Sequence, residues 1–561
     1  MSQSTPSRSG GHILADQLRI LGTDTVFCVP GESFLGLLDG LYDHQSRIRT
    51  IMCRQEGGAA NMAEAYAKMT GKPGILAVTR GPGATNASNG IHTAFQDSTP
   101  MIVLIGQVGR SMTDREAFQE MDYRHVFGQM AKWVAQIEDP ARIPEYISRA
   151  WKTALSGRPG PVVLALPEDI LSGSAAVADL TPTPVAEPAP SSAAIDELAA
   201  LMAGAQKPLL LLGGSGWSAG LAEEAASFAS RTGLPVATTF RRQDYINNNH
   251  PNYVGVVGIA PLPNLRARIA NEVDLLIVVG ARLGEMTTQG YTLIDIPEPQ
   301  MQFVHIHPSG EELGHVYSAD LPIHSSARQF FEAAKAIPDG DGQSRWAEWR
   351  SAQRSDYEAF IQPTSVPGDV NMGQVIAHIT AEMPENTILT NGAGNYAVWP
   401  HRFHIHRAHR TQVAPTSGSM GYGVPAAIAA KLASPDAPVI SISGDGCFMM
   451  SAQEMATARK YAAAIIYLVV NNGMFGTIRM HQEKHHPDRM IATDLFNPNF
   501  VAYAKAFGIG GERVTRTEDF AGALDRARAA KEGYLIELVV DPEAITPVQT
   551  LSEITEQGRA S

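Results

Sequence analysis

Two stretches far apart in the chain spell the same order of elements. Residues 57–83, GGAANMAEAYAKMTGKPGILAVTRGPG, and 421–446, GYGVPAAIAAKLASPDAPVISISGDG, each run from a small-residue helix through a turn and an apolar strand into a Gly-x-Gly loop. After Gly83 and Gly446 a helix-like segment of similar length leads to a second apolar strand, MIVLIGQ at 101–107 and IIYLVVNN at 465–472. Loop glycines matched at matched intervals imply two versions of one topology, one toward each end of the chain. Runs of Val, Ile and Leu such as PLLLLGG at 208–214 and DLLIVVG at 274–280 alternate with amphipathic segments between these copies. Continuous apolar strands followed by helices mark parallel sheets buried on both faces. The expected class is α/β, with three doubly wound parallel-sheet domains of which the first and third are alike.

The length of 561 residues suits three or four domains, at about 150 residues each. Residues 172–194, rich in Pro, Ala and Ser, read as a linker, and a looser seam covers 341–369. The predicted domains are therefore 1–171, 195–340 and 370–561. Forty-four Lys and Arg against 57 Asp and Glu give a formal charge of −13, so no global positive field draws nucleic acid to the surface. The three cysteines, Cys28, Cys53 and Cys447, lack the paired spacing of a zinc site or disulfide framework and fit a reducing cytoplasm. The first ten residues are polar, and no segment has the uninterrupted apolar length of a membrane span. A soluble, cytoplasmic protein with no membrane partner is expected.

The sharpest chemical signal is Gly444-Asp445-Gly446, followed after 24 residues by Asn471-Asn472. Both ends lie just past apolar strands, where doubly wound sheets bind ligands. Asp445 and Asn472 are hard oxygen donors, suited to a small octahedral cation such as Mg2+ that keeps phosphate and water in its other positions. Gly446 lets the backbone approach phosphate, and Ser451-Ala-Gln-Glu454 reads as a capping box that starts the next helix facing the anion.

Gly444-Asp445-Gly446 with Asn471-Asn472 resembles the fingerprint of thiamine diphosphate-dependent enzymes, and Arg54-Gln55-Glu56-Gly57-Gly58-Ala59-Ala60 resembles the segment bearing that family's activating glutamate. The resemblance continues through Gly81-Pro82-Gly83-Ala84-Thr85-Asn86, Ala117-Phe118-Gln119-Glu120, Gly157-Arg158-Pro159-Gly160-Pro161 and Ser417-Gly418-Ser419-Met420-Gly421-Tyr422-Gly423. It is nearest to the acetolactate (acetohydroxyacid) synthase-like branch. The resemblance implies a thiamine diphosphate-binding fold with pyrimidine-binding, middle and diphosphate-binding domains. It implies a homodimer or homotetramer with shared active sites, and a 2-oxo acid substrate.

The same resemblance assigns residues. Glu56 is the catalytic carboxylate that meets the aminopyrimidine ring, and Met420 the apolar wedge that bends the cofactor. Gly392, Ala393, Gly394, Asn395, Gly418, Gly444, Gly446 and Cys447 hold the cofactor. The Met474 carbonyl completes the cation's ligands beside Asp445 and Asn472. Gly31, Phe118, Gln119, Ile478 and His481 line the substrate pocket.

Several positions depart from the branch. Gly255-Val256-Val257-Gly258-Ile259 replaces a Gly-Met-His-Gly-like segment of its flavin-containing members, so FAD stays an option that this departure weighs against. Met286 stands where an arginine grips the acceptor, Thr477 where a methionine stands, and His481 where a tryptophan stands. Glu32 follows Gly31 in place of a second glycine and brings a charge that repels an anionic acceptor unless it is turned away. His401, His404, His406, His485 and His486 read as a solvated surface and receive no role.

The expected activity is decarboxylation of a 2-oxo acid with carboligation, acetolactate synthase-like. The alternatives are a simple 2-oxo acid decarboxylase, or a 2-hydroxyacyl-CoA lyase or oxalyl-CoA decarboxylase-like enzyme with Arg266, Arg268 or Arg282 on the thioester. A non-catalytic scaffold or regulatory subunit is the reading from another class.

Overall fold

The computed structural model describes residues 6–560; residues 1–5 and Ser561 lie outside the described residues. Among these, three six-stranded sheets are present, every pairing parallel. The first contains β1 (Thr25–Cys28), β2 (Arg49–Met52), β3 (Gly74–Val78), β4 (Met101–Gln107), β5 (Trp133–Gln136) and β6 (Pro161–Pro167). The second contains β7 (Pro208–Leu212), β8 (Val236–Thr239), β9 (Tyr253–Val257), β10 (Leu275–Val279), β11 (Gln302–His307) and β12 (Leu321–His324). The third contains β13 (Ile388–Asn391), β14 (Gln412–Val413), β15 (Val439–Gly444), β16 (Ile466–Asn471), β17 (Gly510–Val514) and β18 (Tyr534–Val539).

The first sheet runs β2-β1-β3-β4-β6-β5 and the third β14-β13-β15-β16-β18-β17, the same order counted within each sheet. The likeness read from the two helix-strand-glycine segments therefore extends to the whole topology. The middle sheet runs β9-β8-β7-β10-β11-β12 instead, the dinucleotide-binding order. Central strands such as β3, β4, β7 and β10 are buried along their whole length, which explains why their sequences are continuously apolar rather than alternating. In each sheet the order reverses beside the first strand in sequence, and strand ends at such a place open a crevice. These places are β1/β3, β7/β10 and β13/β15.

The described chain divides into two compact units. One holds the residues up to Ala186 with Ile428–Ala433 and Ser451–Ala463; the other holds Glu187–Ala427, Ser434–Met450 and the remainder from Ala464. In the first unit, the start of the Pro-rich segment is pinned down: Ser174–Ala175 pairs antiparallel with Arg8–Ser9, and the Gln17 side chain bonds the Leu180 backbone in both directions. The segment 341–369, expected to be a second linker, is corrected by the structure. Its helix Ala347–Phe360 belongs to the middle core, where Trp346 and Tyr357 are buried and Trp346 Nε1 donates to the Ala205 carbonyl at 3.0 Å. The helix is polar in sequence, yet Tyr357 on it is buried and Trp349 and Phe360 are packed against the same core.

At the middle crevice, Gly214 has φ +78°, and a Cβ there would lie 1.9 Å from the Gly280 carbonyl oxygen. Two backbones meet where only glycine fits. Gly214→Ala is expected to destabilise the second unit by about 2–4 kcal/mol, read as a lower midpoint for its thermal transition; an unchanged midpoint would show that the contact is slack.

Candidate active site

In the first unit the residues singled out from the sequence converge on one loop, Thr79–Asn86, which follows β3. A Cβ on Gly31 would meet Thr79 Cβ at 2.4 Å, and one on Gly81 would meet Gln119 Cβ at 2.8 Å. Arg80 Nε donates to the Phe118 carbonyl at 3.0 Å, while the Phe118 ring is exposed and Gln119 holds a left-handed φ of 65°. Glu56 opens the helix Glu56–Thr70, whose first turn is capped by the Gln55 side chain accepting from Gly58 N at 3.0 Å. Its Oε2 accepts from Asn86 Nδ2 at 3.0 Å, and a Cβ on Gly83 would stand 3.3 Å from Oε1. Gly31, Glu56, Phe118 and Gln119 thus all border the loop at the β1/β3 switch point.

Glu454 enters the same unit in a way the sequence pattern did not reveal. The expected capping box is absent: Ser451 makes no side-chain cap. Instead the buried Glu454 carboxylate accepts from the backbone N–H groups of Arg54 at 3.0 Å and Gln55 at 3.0 Å, and from Thr457 Oγ1 at 2.5 Å. Gly58 leaves room for it, since a Cβ there would stand 2.7 Å from Oε1. Tyr461 adds a second tie, its hydroxyl accepting from Met52 N at 2.7 Å. The two amides immediately before Glu56 are therefore fixed by a segment that begins six residues after Asp445 in sequence.

In the second unit the remaining candidates gather at the carboxyl ends of β13 to β16. Gly444 is the N-cap of a short helix, Asp445–Met449, so the helix starts on Asp445 itself and not at Ser451. The Asp445 carboxylate is buried, with Oδ1 accepting from Gly446 N at 2.9 Å and Oδ2 from Gly473 N at 2.9 Å and Asn497 Nδ2 at 2.8 Å. Burial pushes its pKa up, and these donors oppose the shift. Asn497 also donates to Asn471 Oδ1 at 3.2 Å, and Asn471 Nδ2 donates to the buried Glu537 carboxylate at 2.8 Å. Asn472 Oδ1 accepts from Met474 N at 3.3 Å, and the Met474 carbonyl accepts from Gly476 N at 2.9 Å.

Around this set, Asn395 is tied to Thr477 in both directions at 2.9 Å. Gly392 N donates to Tyr396 OH at 3.0 Å, and the Cys447 thiol, whose pKa burial raises, accepts from Gly421 N at 3.2 Å. Gly394 has φ 143°, and Gly418 has φ 71° with open space where a Cβ would stand. Met420 packs against the third core. Ile478 and His481 are exposed on the helix Gly476–His485, with the His481 ring stacked on His485 and its pKa lowered by burial.

Three histidines correct the solvated-surface reading. His401, His404 and His406 are buried; burial drives all three pKa values down, that of His404 to about 3. His485 and His486 are exposed. Asn86, Asn497 and Glu537 had no role in the sequence reading, and Glu454 had only that of a helix cap. Asn86 closed a quoted motif and Glu454 sat inside one, but their contacts depend on partners distant in the chain.

The Asp445 carboxylate, the Asn472 amide oxygen and the Met474 carbonyl are hard oxygen donors, the type a small divalent cation takes. Among the described residues no group of three His, Cys, Asp or Glu side chains offers a competing cation site.

Three family models match the chain in order. They are the thiamine pyrophosphate enzyme N-terminal TPP binding domain over residues 8–126, the central domain over 195–334, and the C-terminal TPP binding domain over 392–538. A probable acetolactate synthase large subunit of Methanocaldococcus jannaschii is 31% identical over 560 residues, covering 96% of this chain and 93% of its own length. An acetolactate synthase large subunit of Corynebacterium glutamicum is 31% identical, covering 96% and 88%. The acetolactate synthase isozyme 2 large subunit of Escherichia coli is 29% identical, covering 95% and 96%. The chain belongs to the thiamine pyrophosphate-dependent enzymes, the class of carboligases and decarboxylases that use this cofactor. Within that class it falls in the acetolactate synthase-like branch.

Burial raises the pKa of Glu454. The folded chain then keeps a proton that the unfolded chain releases as pH rises past the ordinary carboxyl value of about 4.3, so rising pH favours unfolding until the folded carboxyl has also ionised. Glu454→Gln removes that penalty. Wild type is expected to lose thermal stability relative to E454Q by a few degrees as pH climbs from about 4 through the raised pKa. Parallel stability curves for the two proteins would refute a raised value.

Proposed function

We propose that this protein decarboxylates a 2-oxo acid and joins the remaining carbon fragment to a carbonyl acceptor, with pyruvate as donor and an acetolactate-like product. The observation that carries the proposal is the Asp445 carboxylate, buried at the β13/β15 switch point beside Asn472 and held by amide donors. Asp445, Asn472 and the Met474 carbonyl are the proposed Mg2+ ligands. Gly392, Ala393, Gly394, Asn395, Gly418, Gly444, Gly446 and Cys447 supply the backbone around the diphosphate, and Met420 supplies the apolar wedge.

Thiamine diphosphate, when bound, supplies the nucleophilic carbon and the electron sink. The chain's part is to hold a proton and exclude alternatives. Asn86 occupies Glu56 Oε2, which leaves Oε1 beside Gly83 as the oxygen that holds a proton toward the aminopyrimidine ring. The Glu454 grip on the Arg54 and Gln55 amides sets where that oxygen stands. Gly31, Phe118, Gln119, Ile478 and His481 are the proposed pocket lining, and the functional assembly is a homodimer or homotetramer.

FAD stays outside the proposal, since the turns of the middle sheet's crevice are packed with protein groups. The Gly213 carbonyl accepts from Trp217 Nε1 at 2.9 Å, and the Gly214 carbonyl accepts from Arg242 Nε at 2.7 Å and Tyr245 OH at 2.8 Å. Trp217 and Tyr245 stack at 4.6 Å, and the Gly214 and Gly280 turns meet backbone to backbone. These contacts hold the two glycine turns closely together and, with the Gly255–Ile259 departure, weigh against FAD, so the proposed cofactors are thiamine diphosphate and Mg2+. The thioester reading is weakened in the same domain. Arg268 is paired with Asp356, Arg282 with Glu312 at 3.2 Å, and the cavity beside Arg282 has about 70 Å³.

The test is a screen of 2-oxo acids with purified protein, thiamine diphosphate and Mg2+, following carbon dioxide and product by mass spectrometry. Acetolactate from pyruvate supports the proposal; turnover of acyl-CoA substrates alone replaces it with the lyase. No release from any donor, with cofactor bound, replaces it with the scaffold. Glu56→Gln is expected to lower kcat by about 10²–10⁴-fold while thiamine diphosphate still binds. Asp445→Asn is expected to raise the Mg2+ concentration needed for cofactor binding by about tenfold or more, read by titration calorimetry.

A further inference from the structure

Arg241 lies two residues past β8, in the middle sheet's own loop, yet its guanidinium ends among the loops of the third sheet. NH1 donates to the Pro415 carbonyl, and NH2 donates to the Gly392 carbonyl at 2.7 Å. The residue is buried and holds a left-handed φ of 59°, a conformation that costs a non-glycine residue about 1 kcal/mol or more and persists where the surroundings enforce it. The enforcing contact is local: Arg242 NH1 donates to the Arg241 carbonyl at 2.8 Å while its Nε holds Gly214. One arginine of the pair seals the middle crevice and the other reaches the neighbouring domain.

From Gly392 the bonding continues. Gly392 N donates to Tyr396 OH at 3.0 Å, Tyr396 OH donates to Cys447 Sγ at 3.1 Å, and Gly421 N donates to the same sulfur at 3.2 Å. The loops after β13, β14 and β15 are thereby joined into one buried network that starts at Arg241. A Cβ on Gly392 would stand 2.7 Å from Cys447 Sγ, so the network is also tightly packed. The charge reaches the same groups, since the Arg241 field acts to lower the pKa values of Tyr396, His401 and Cys447.

Carbonyl oxygens have the wrong sign for a site that must hold a diphosphate. A guanidinium that engages two of them turns their lone pairs inward, and its buried positive charge favours an anion nearby. We propose that Arg241 is a positioning residue for cofactor binding: the middle domain sets the diphosphate cradle through the Arg241, Gly392, Tyr396 and Cys447 network. The proposal rests on the thiamine diphosphate reading given above.

Calorimetric titration of thiamine diphosphate into chelator-treated apoprotein, at saturating Mg2+, tests it, alongside thermal unfolding of each apoprotein. Arg241→Met is expected to weaken binding about 10–100-fold. Arg241→Lys should fall between, because an ammonium keeps the charge but does not bridge two carbonyls with a planar fork. Tyr396→Phe should cost about 3–10-fold, with the KM for the 2-oxo acid within about twofold of wild type once cofactor saturates. If Arg241→Met fails to fold, Arg241→Lys and Tyr396→Phe decide. Variants that bind the cofactor as wild type does, with a lower apoprotein midpoint, would reduce Arg241 to a domain clamp and end this inference alone. Wild-type protein that binds no thiamine diphosphate would end the underlying reading and this inference with it.

Discussion

The third sheet's site depends on placing a carboxylate where water does not reach. Taking Asp445 out of solvent carries a cost that its three N–H donors only partly offset, as the upward pull on its pKa shows. A carboxylate so placed favours positive charge beside it. The sheet register explains how the oxygen set assembles. Gly444 on β15 pairs with Val470 on β16, so Asp445 and Asn471 leave adjacent strands at the same level and Asn497 donates to both. The 24-residue interval between the two motifs is the length of chain needed to climb one parallel crossover and return to that level. Glu537 on β18 then fixes Asn471 from the far side, with Arg513 paired to it at 2.9 Å.

Duplicated topology gives two addresses of the same kind. In the first and third sheets alike, the third strand in sequence ends in a Gly-x-Gly loop that starts a short helix at once, Pro82–Asn86 after β3 and Asp445–Met449 after β15. Only the middle residue and the company differ. Pro82 contributes no charge, and its loop takes up a glutamate from the preceding helix; Asp445 is itself the carboxylate and takes up amides. The middle sheet has a switch point too, but Trp217, Arg242 and Tyr245 close it. Fold-level resemblance to dinucleotide-binding sheets thus says little about this crevice, because side chains decide what it admits.

Strand and loop chemistry was legible in the sequence because each signal is local. Buried parallel strands write themselves as apolar runs, and a glycine loop after such a run marks a switch point whatever surrounds it. Glu454 was not legible, since Ser-x-x-Glu reads identically whether the carboxylate bends back to its own helix or reaches the Arg54 and Gln55 amides some 400 residues earlier in the chain. The same holds for His401, His404 and His406, whose polar type suggested solvent while the fold buries them. Arg241 illustrates the limit most clearly. A pair of arginines after a strand reads as surface charge, and only coordinates reveal that both side chains spend their donors on backbone carbonyls.

The departures from the branch leave Glu56, Asp445 and Asn472 untouched. Glu32 faces the Arg80 guanidinium at 3.7 Å, and Arg80 is also paired with Glu168. Its charge is partly compensated inside the first unit, so the repulsion expected from a bare carboxylate is reduced. Thr477, by contrast, is tied to the loop after β13, where its hydroxyl both receives from and donates to Asn395. A methionine there would lose that tie and add apolar bulk, whereas threonine stiffens the loop and leaves the space above it polar. With Met286 offering no cation and His481 exposed, acceptor choice in the proposed reaction rests on shape and on few hydrogen bonds. Selection of that kind separates acceptors by only about 10–200-fold per missing methylene, which favours an enzyme that accepts several carbonyl partners over one committed to a single charged acid.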